Sequence, residues 1–218
     1  LFAVSEFQQK DLTKIAGNVP LKVIQNPIDL HFFVPSGLKS NETFRFLHIS
    51  TLDERTKNVQ GILHAVSNLK KMELQPFELV ILSDEPTGKW AQRCEAMDIS
   101  DCVRFIGPCN PNEVLVALQQ SHALVHFSSY ESFSLVIAEA WACGIPVIST
   151  PVGIAEGMQL SLGLSVPIGD EQELSAAMVK LMGACTTFDG ASIREYAKQF
   201  SVEHYLLNYR LLIGDILR

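Results

Sequence analysis

The chain has 218 residues, 47% of them hydrophobic and 19% charged, with a formal net charge of −7 and a pI near 5.3. This composition excludes a disordered chain, and the length holds one large domain or one domain with an appendage. The acidic balance and the lack of any basic run argue against nucleic acid as a partner, and no apolar run reaches the ~20 residues that span a bilayer.

In chain order, Val4 to Ala16 reads as a helix with Ser5 near its N-terminus, ahead of the main fold. A first strand is expected at Leu21 to Gln25 and a second at Phe44 to His48. Lys57 to Lys71 is amphipathic, with Val59, Ile62, Leu63, Val66 and Leu69 on one stripe. Strand Glu78 to Leu82, a weaker helical pattern over Gly88 to Met97, and strand Val103 to Ile106 follow. Asn110 and Pro111 then open a helix to Gln120 as N-cap and first-turn proline.

Strand Ala123 to Phe127 precedes an apolar helix, Ser134 to Cys143, that Gly144 stops. Short strands are expected at Val147 to Ser149 and Leu164 to Val166. A helix over Glu171 to Met182 is capped by Asp170, and Ala191 to Leu217 is helical with a break at Phe200-Ser201-Val202. Several strands are apolar throughout, as strands covered on both faces are. Alternating strands and helices therefore predict an α/β fold, a Rossmann-like doubly wound parallel sheet. Ligands of such sheets bind beyond the carboxyl ends of the strands, which selects the loops Ser50 to Asn58, Gly107 to Asn110, Ser128 to Ser134 and Thr150 to Gly157.

Glu139 is the only charged side chain between Ser132 and Ala155. Burying it unpaired would cost several kcal/mol, so it either reaches water or meets hydrogen-bond donors. Glu131 stands just before the same helix, among Ser128, Ser129, Ser132 and Ser134. The free N–H groups of a helix start, aided by its dipole, attract an anion, and a carboxylate accepts from adjacent hydroxyls. The pair thus suits a ligand rich in hydroxyls and carrying phosphate. On spacing alone, a capping Glu131 and a surface-paired Glu139 remain equally open.

Other chemistry finds little support. The five cysteines (Cys94, Cys102, Cys109, Cys143, Cys185) show no close metal spacing and read as free thiols of a reducing compartment. The six histidines show none either; His48 and His126 end strands on the ligand side and read as core or rim. Asp-x-Asp, Walker and Gly-x-Gly-x-x-Gly patterns are absent, so neither a metal nor a cofactor is expected.

The run from Ser128 to Ile148 resembles the signature of glycosyltransferase family 4, in which two glutamates are separated by seven residues. Pro151 to Glu156 resembles the glycine loop of that family, Asn26-Pro27-Ile28-Asp29 with Phe33 its Pro-Asn-Gly segment, and Gly163 to Asp170 its Gly-Leu-Leu-Val turn. Ser5 fits the serine of its interdomain region. The resemblance implies a retaining GT-B enzyme that uses a nucleotide-sugar donor.

Carried over residue by residue, the resemblance implies that Glu139 binds the donor's ribose and Glu131 faces its sugar. Backbone N–H groups of Phe133, Ser134 and Leu135, with Ser132 beside them, contact sugar or diphosphate, and Gly153 belongs to the glycine loop. Lys57 matches the family's diphosphate-binding lysine, and Glu131 and Lys57 are the expected catalytic pair. Thr51 stands where the family has arginine, and Arg55 is expected to reach back and supply the missing charge. Main-chain atoms around Ile106 hold the base, and Gly107 permits the turn. Serine replaces the usual glycine at Ser132, Ser134 and Ser50, which narrows the site.

The chain opens Leu1-Phe2-Ala3-Val4, and we read it as a piece of a longer protein. By resemblance, residues 1–20 are an interdomain segment and the end of a missing N-terminal domain, and residues 21–200 form the donor-binding domain. Residues 201–218 form a helix that crosses back to the missing domain. The implied reaction moves a hexose from a UDP- or GDP-sugar to an acceptor hydroxyl of a glycan or lipid-linked saccharide. Such a protein is cytoplasmic or peripheral at the inner face of the membrane, and this chain alone is expected to turn over little. The alternatives are a noncatalytic nucleotide-sugar-binding module and a GT-B nucleotide-sugar epimerase.

Overall fold

The computed structural model describes residues 1–17, 19–37, 42–184 and 187–216. Cys185 and the predicted helix end at Leu217 fall outside them. Helix α1 (Glu6–Ala16) joins two short strands, β1 (Phe2–Ala3) and β2 (Lys22–Val23), which pair in parallel apart from the main sheet. The strand expected over Leu21 to Gln25 is thus only two residues long and lies outside the doubly wound sheet. Its single partner is equally short, so few ladder bonds can form.

The main sheet holds β3 (Phe44–Ile49), β4 (Phe77–Leu82), β5 (Val103–Ile106), β6 (Ala123–His126), β7 (Val147–Ser149) and β8 (Gly163–Ser165). All pairings are parallel, in the order β5-β4-β3-β6-β7-β8. From β3 the chain builds outward to β5, then returns to the other side of β3 and builds outward again. The order reverses between β3 and β6, which are aligned Phe46 to Ala123 and Leu47 to Leu124. This reversal leaves a crevice at their carboxyl ends, because the crossovers diverge there.

Side-chain alternation divides the core between the two faces. Phe46, Leu79, Ile81 and Val125 pack with Val59, Ile62 and Val66 of α3 (Val59–Lys70), Trp90 of α4 (Gly88–Ala96) and Leu174 and Met178 of α7 (Glu171–Ala184). Leu47, Val80, Leu82 and Leu124 face the other way, toward Leu118 of α5 (Pro111–Gln120), Ile137 and Trp141 of α6 (Leu135–Ala142) and Ile193 of α8 (Gly190–Ala197). Each fully buried large side chain contributes about 1.5–3 kcal/mol.

The helix expected over Lys57 to Lys71 is α3, starting at Val59, and Lys57 instead closes a separate single turn before it. α2 (Glu54–Lys57) ends where Asn58 adopts a left-handed backbone (φ 47°, ψ 51°), and the Asn58 side chain then accepts the Gly61 N–H to start α3. The hydrophobic stripe from Val59 to Leu69 lies wholly within α3 and carries no mark of the turn before it. The break turns Lys57 toward the crevice instead of continuing around the helix.

Aromatic packing holds α6 against the end of the chain. Trp141 stacks on Phe200 at 6.1 Å, Phe133 meets Phe200 edge-on at 5.6 Å, and Trp141 Nε1 donates to the Leu162 carbonyl. Arg194 donates to the Leu30 and Phe33 carbonyls at 2.8 and 2.7 Å and to that of Ala142, the last residue of α6. A cation suits a helix C-terminus. The last helix, α9 (Val202–Ile216), leaves Leu206, Leu207 and Leu211 exposed.

Gly163 is required at the β7–β8 pair. Its φ is 151°, and a Cβ there would lie 1.9 Å from the Val147 carbonyl oxygen. Gly163→Ala is expected to destabilise the protein by about 2–4 kcal/mol, since neither strand can give way without losing ladder bonds. Urea denaturation of the two proteins checks this.

Candidate functional site

The crevice beyond β3 and β6 is a cavity of about 340 Å³. One wall is the loop after β3 with Ser50, Thr51 and Lys57, and a second is Ser83 and Asp84 after β4. Cys109 and Val114 close one end, while His126, Glu131, Ser134, Leu135 and Val136 form the floor and far wall. The cavity thus joins the ends of both strands at the reversal to the start of α6.

Glu131 sits at its centre. Lys57 Nζ, His126 Nε2 and Ser128 Oγ all converge on one carboxylate oxygen, Oε1, the last two at 3.0 Å. Among the described residues, none donates to Oε2. Burial alone would raise the carboxyl, but the bond from His126, followed by that from Lys57, holds it down to about 2.

The remaining groups around Glu131 are polar and largely buried. His126 Nε2 also lies 3.2 Å from Ser128 Oγ and 3.3 Å from Ser134 Oγ, whereas its Nδ1 is buried with no partner among the described residues. His48 is fully buried behind the loop. Its Nδ1 meets the Val125 carbonyl at 2.9 Å, so Nε2 accepts the Ser50 hydroxyl at 2.7 Å, and Ser50 Oγ in turn accepts the Leu52 N–H. Desolvation pushes the His48 imidazole down to about 4 and keeps it neutral. This chain of bonds shapes the loop that carries Thr51.

Helix α6 enters the site uncapped. Ser134 stands at its N-cap with a left-handed backbone (φ 76°, ψ 85°), and its side chain makes no capping bond. The N–H groups of the first turn therefore keep their capacity for a ligand, and the dipole favours an anion. Gly153 supports this turn from behind: its φ is 56°, and a Cβ would lie 2.5 Å from the Phe133 carbonyl, which accepts the Ile154 N–H. The Ser132 carbonyl accepts the Ser5 hydroxyl at 2.5 Å, tying α1 to the same loop.

The structure brings Lys57, Thr51, Glu131, Ser134 and Leu135 to one cavity. Ser132 and Phe133 contribute backbone beside it, and the Phe133 ring is core. Arg55 does not reach the cavity. Its side chain is 91% exposed, 3.4 Å from Asp53, along a neighbouring groove. The cause is local: α2 is a single turn, and Asp53 at its start draws the guanidinium outward.

Ile106 and Gly107 also stand apart from this cavity. Ile106 lines an adjoining one of about 370 Å³ between β5 and α5, with Leu82 and Cys109 common to both, and its carbonyl accepts the Ser83 N–H. Gly107 has no positive φ and open space where a Cβ would be, so the turn does not demand glycine. Glu156, at the end of the segment that resembles the glycine loop, pairs with Lys10 at 2.8 Å.

Glu139 lies on α6 three and four residues beyond Val136 and Leu135, so it shares their helix face. It does not line the cavity proper. None of the described residues bonds its half-buried carboxylate, and desolvation raises it to about 7. Sequence reasoning read His126 as core or rim, placed Ser128 among the serines around Glu131, and passed over Asp84. The signal for His126 was a lone polar residue ending an otherwise apolar strand, five residues before Glu131.

With this geometry in hand, comparison with known proteins defines the class first. A computed superposition on a glycosyltransferase from Rickettsia africae covers the whole chain and 63% of that protein, with a TM-score of 0.88 at 17% identity. The Anabaena protein HepE, solved with UDP and glucose, matches over 98% of this chain and 62% of its own, with a TM-score of 0.80 and 20% identity. The fold is α/β and Rossmann-like, and the structural neighbours that share it are GT-B glycosyltransferases.

The family described as glycosyl transferases group 1 matches residues 43–184, and the chain belongs to it. Among curated relatives, a D-inositol 3-phosphate glycosyltransferase of Corynebacterium jeikeium is 33% identical over 142 residues, 59% of this chain. An N-acetyl-alpha-D-glucosaminyl L-malate synthase of Bacillus anthracis is 29% identical over 188 residues, 84% of it. The chain spans 33% and 48% of the lengths of these two relatives.

Two outcomes follow from the electrostatics. Because the folded state raises Glu139 above its unfolded value, the ionised form is penalised: nothing is lost below pH 4.5, and the whole penalty is present above pH 7. Glu139→Gln is therefore expected to match the parent in stability at pH 4 and exceed it by on the order of 1–3 kcal/mol at pH 8, read from thermal unfolding at both values. Ser134→Gly relieves the left-handed serine and is expected to gain about 1 kcal/mol in the same measurement.

Proposed function

We propose that this cavity is the donor site of a retaining glycosyltransferase, which moves a hexose from a UDP- or GDP-sugar to an acceptor hydroxyl. The observation that carries this reading is the one-sided grip on Glu131. Three donors hold Oε1 and leave Oε2 unbonded in a polar cavity beside an uncapped helix start. A carboxylate held by one oxygen presents the other as an acceptor for sugar hydroxyls.

The diphosphate lies against the first turn of α6 and within reach of Lys57. Negative charge grows on the leaving phosphate as the glycosidic bond breaks, and the ammonium and the aligned N–H groups stabilise it there without reorganising. The base occupies the end of the cavity closed by Cys109 and Val114, and the ribose hydroxyls donate to Glu139 further along the helix. Oε2 of Glu131 orients the hexose. Residues 1–20 and α9 connect this domain to an N-terminal half that binds a saccharide or lipid-linked acceptor, and the closed cleft excludes water.

A second reading, a noncatalytic nucleotide-sugar-binding module, is favoured by one observation. Among the described residues, Lys57 is the only lysine or arginine lining the cavity, and it is already paired with Glu131. Turnover of UDP- and GDP-hexoses by the full-length protein, lost with Glu131→Ala, separates catalyst from module.

Calorimetry with UDP and GDP tests the site itself. One of them is expected to bind with release of a proton at pH 6, because ribose hydroxyls bonded to Glu139 favour its ionised form. The proton appears as a buffer-dependent binding enthalpy and is absent with Glu139→Gln. Lys57→Ala is expected to weaken binding about 10-fold or more. No binding of either nucleotide to the parent chain would end the proposal.

A further inference from the structure

We propose that His126 is a positioning residue that keeps Glu131 in place while Lys57 leaves it for an anionic ligand. This rests on the reading that Glu131 faces the sugar of a donor.

Geometry carries the argument. A carboxylate oxygen has two lone pairs, yet three donors crowd Oε1 of Glu131: Lys57 Nζ, His126 Nε2 and Ser128 Oγ. The oxygen has one donor more than it can fully use. Lys57 is the dispensable one, because its charge sits on a flexible four-carbon stem, whereas His126 is fixed at the end of β6 and 2% exposed. When phosphate draws the ammonium away, His126 and Ser128 still fill both lone pairs. Glu131 keeps its place, and Lys57 is free without leaving the acid unsatisfied.

The other ring nitrogen fixes the tautomer. His126 Nδ1 is buried with no partner among the described residues, so a proton there would be an orphaned donor. We assign the proton to Nε2, where it points at Glu131. The neighbouring His48 has both ring nitrogens bonded and takes the opposite tautomer, with Nδ1–H on Val125. An aliphatic residue would satisfy the buried strand end without an orphan, so packing does not account for the imidazole. Its bond to Glu131 does.

The test separates hydrogen bonding from packing. Glutamine carries its amide near the position of Nε2 and asparagine near that of Nδ1. The Glu131 carboxyl is titrated by the NMR shift of its side-chain carbon in the parent, His126→Phe, His126→Gln and His126→Asn. The parent is expected to have its midpoint at about 2, well below the ordinary carboxylate range. Phe and Asn are expected to move the midpoint up by about one unit or more, while Gln holds it within about half a unit. Lys57→Ala is expected to leave the midpoint below that of His126→Phe. An unmoved midpoint in His126→Phe, or equal midpoints for Gln and Asn, overturns the proposal.

A second measurement compares UDP with UDP-glucose and GDP with GDP-mannose by calorimetry. In His126→Phe, affinity for the diphosphate is expected to stay within about twofold, while the gain contributed by the sugar falls about tenfold and returns in His126→Gln. An unchanged gain in His126→Phe also overturns it. If neither nucleotide binds the parent, the donor-site reading fails, and the carboxyl titration alone then decides whether His126 holds Glu131.

Discussion

The convergence of an ammonium, an imidazole N–H and a hydroxyl on one oxygen of Glu131 organises the ligand side of this domain. The three donors come from three places in the chain: Lys57 from the end of α2, His126 from the last position of β6, and Ser128 from the turn beyond it. They meet only because β3 and β6 are neighbours in the sheet although two strands separate them in sequence. A buried carboxylate without such donors would be expensive or protonated. Here the bonds overcome desolvation, and the acid stays ionised far below its ordinary range.

Glu139 shows the opposite balance on the same helix. It is half-buried beside apolar side chains, gains nothing from its neighbours, and is held near neutrality by desolvation alone. The two acids are eight positions apart, yet one is held below the ordinary carboxylate range and the other pushed above it, because one has partners and the other waits for them. Such a contrast is costly to a free protein and useful to one that binds hydroxyls, since a ligand can supply at Glu139 what Lys57 and His126 supply at Glu131. The serine at the start of α6 fits the same pattern, because a strained, uncapped helix end is retained where backbone N–H groups serve a ligand.

Much of this was legible in the sequence, for identifiable reasons. Apolar runs such as Val80-Ile81-Leu82 and Leu124-Val125 could only be strands covered on both faces, and Asn110-Pro111 marked the start of α5 to the residue. Glu131 and Glu139 drew notice because charge is rare among such neighbours. What failed to show were the left-handed Asn58 that sets Lys57 on a separate turn before α3, and the pairing of the strand at Lys22 into a separate small sheet. Arg55 was expected near the phosphate site from closeness in sequence, but a one-turn helix sends it to solvent.

The sequence by itself determined the α/β alternation, the loops that face a ligand, and the two acids that flank the start of α6, because burial and helix termini leave a local mark in composition. Only the tertiary structure decided which cation meets which acid, that His126 belongs to the site, and that Glu139 stands without a partner. Those outcomes depend on directions and distances between strands that are remote in the chain. A hydrogen bond needs its atoms within about 3 Å, and residue order carries no information at that scale until the sheet has assembled.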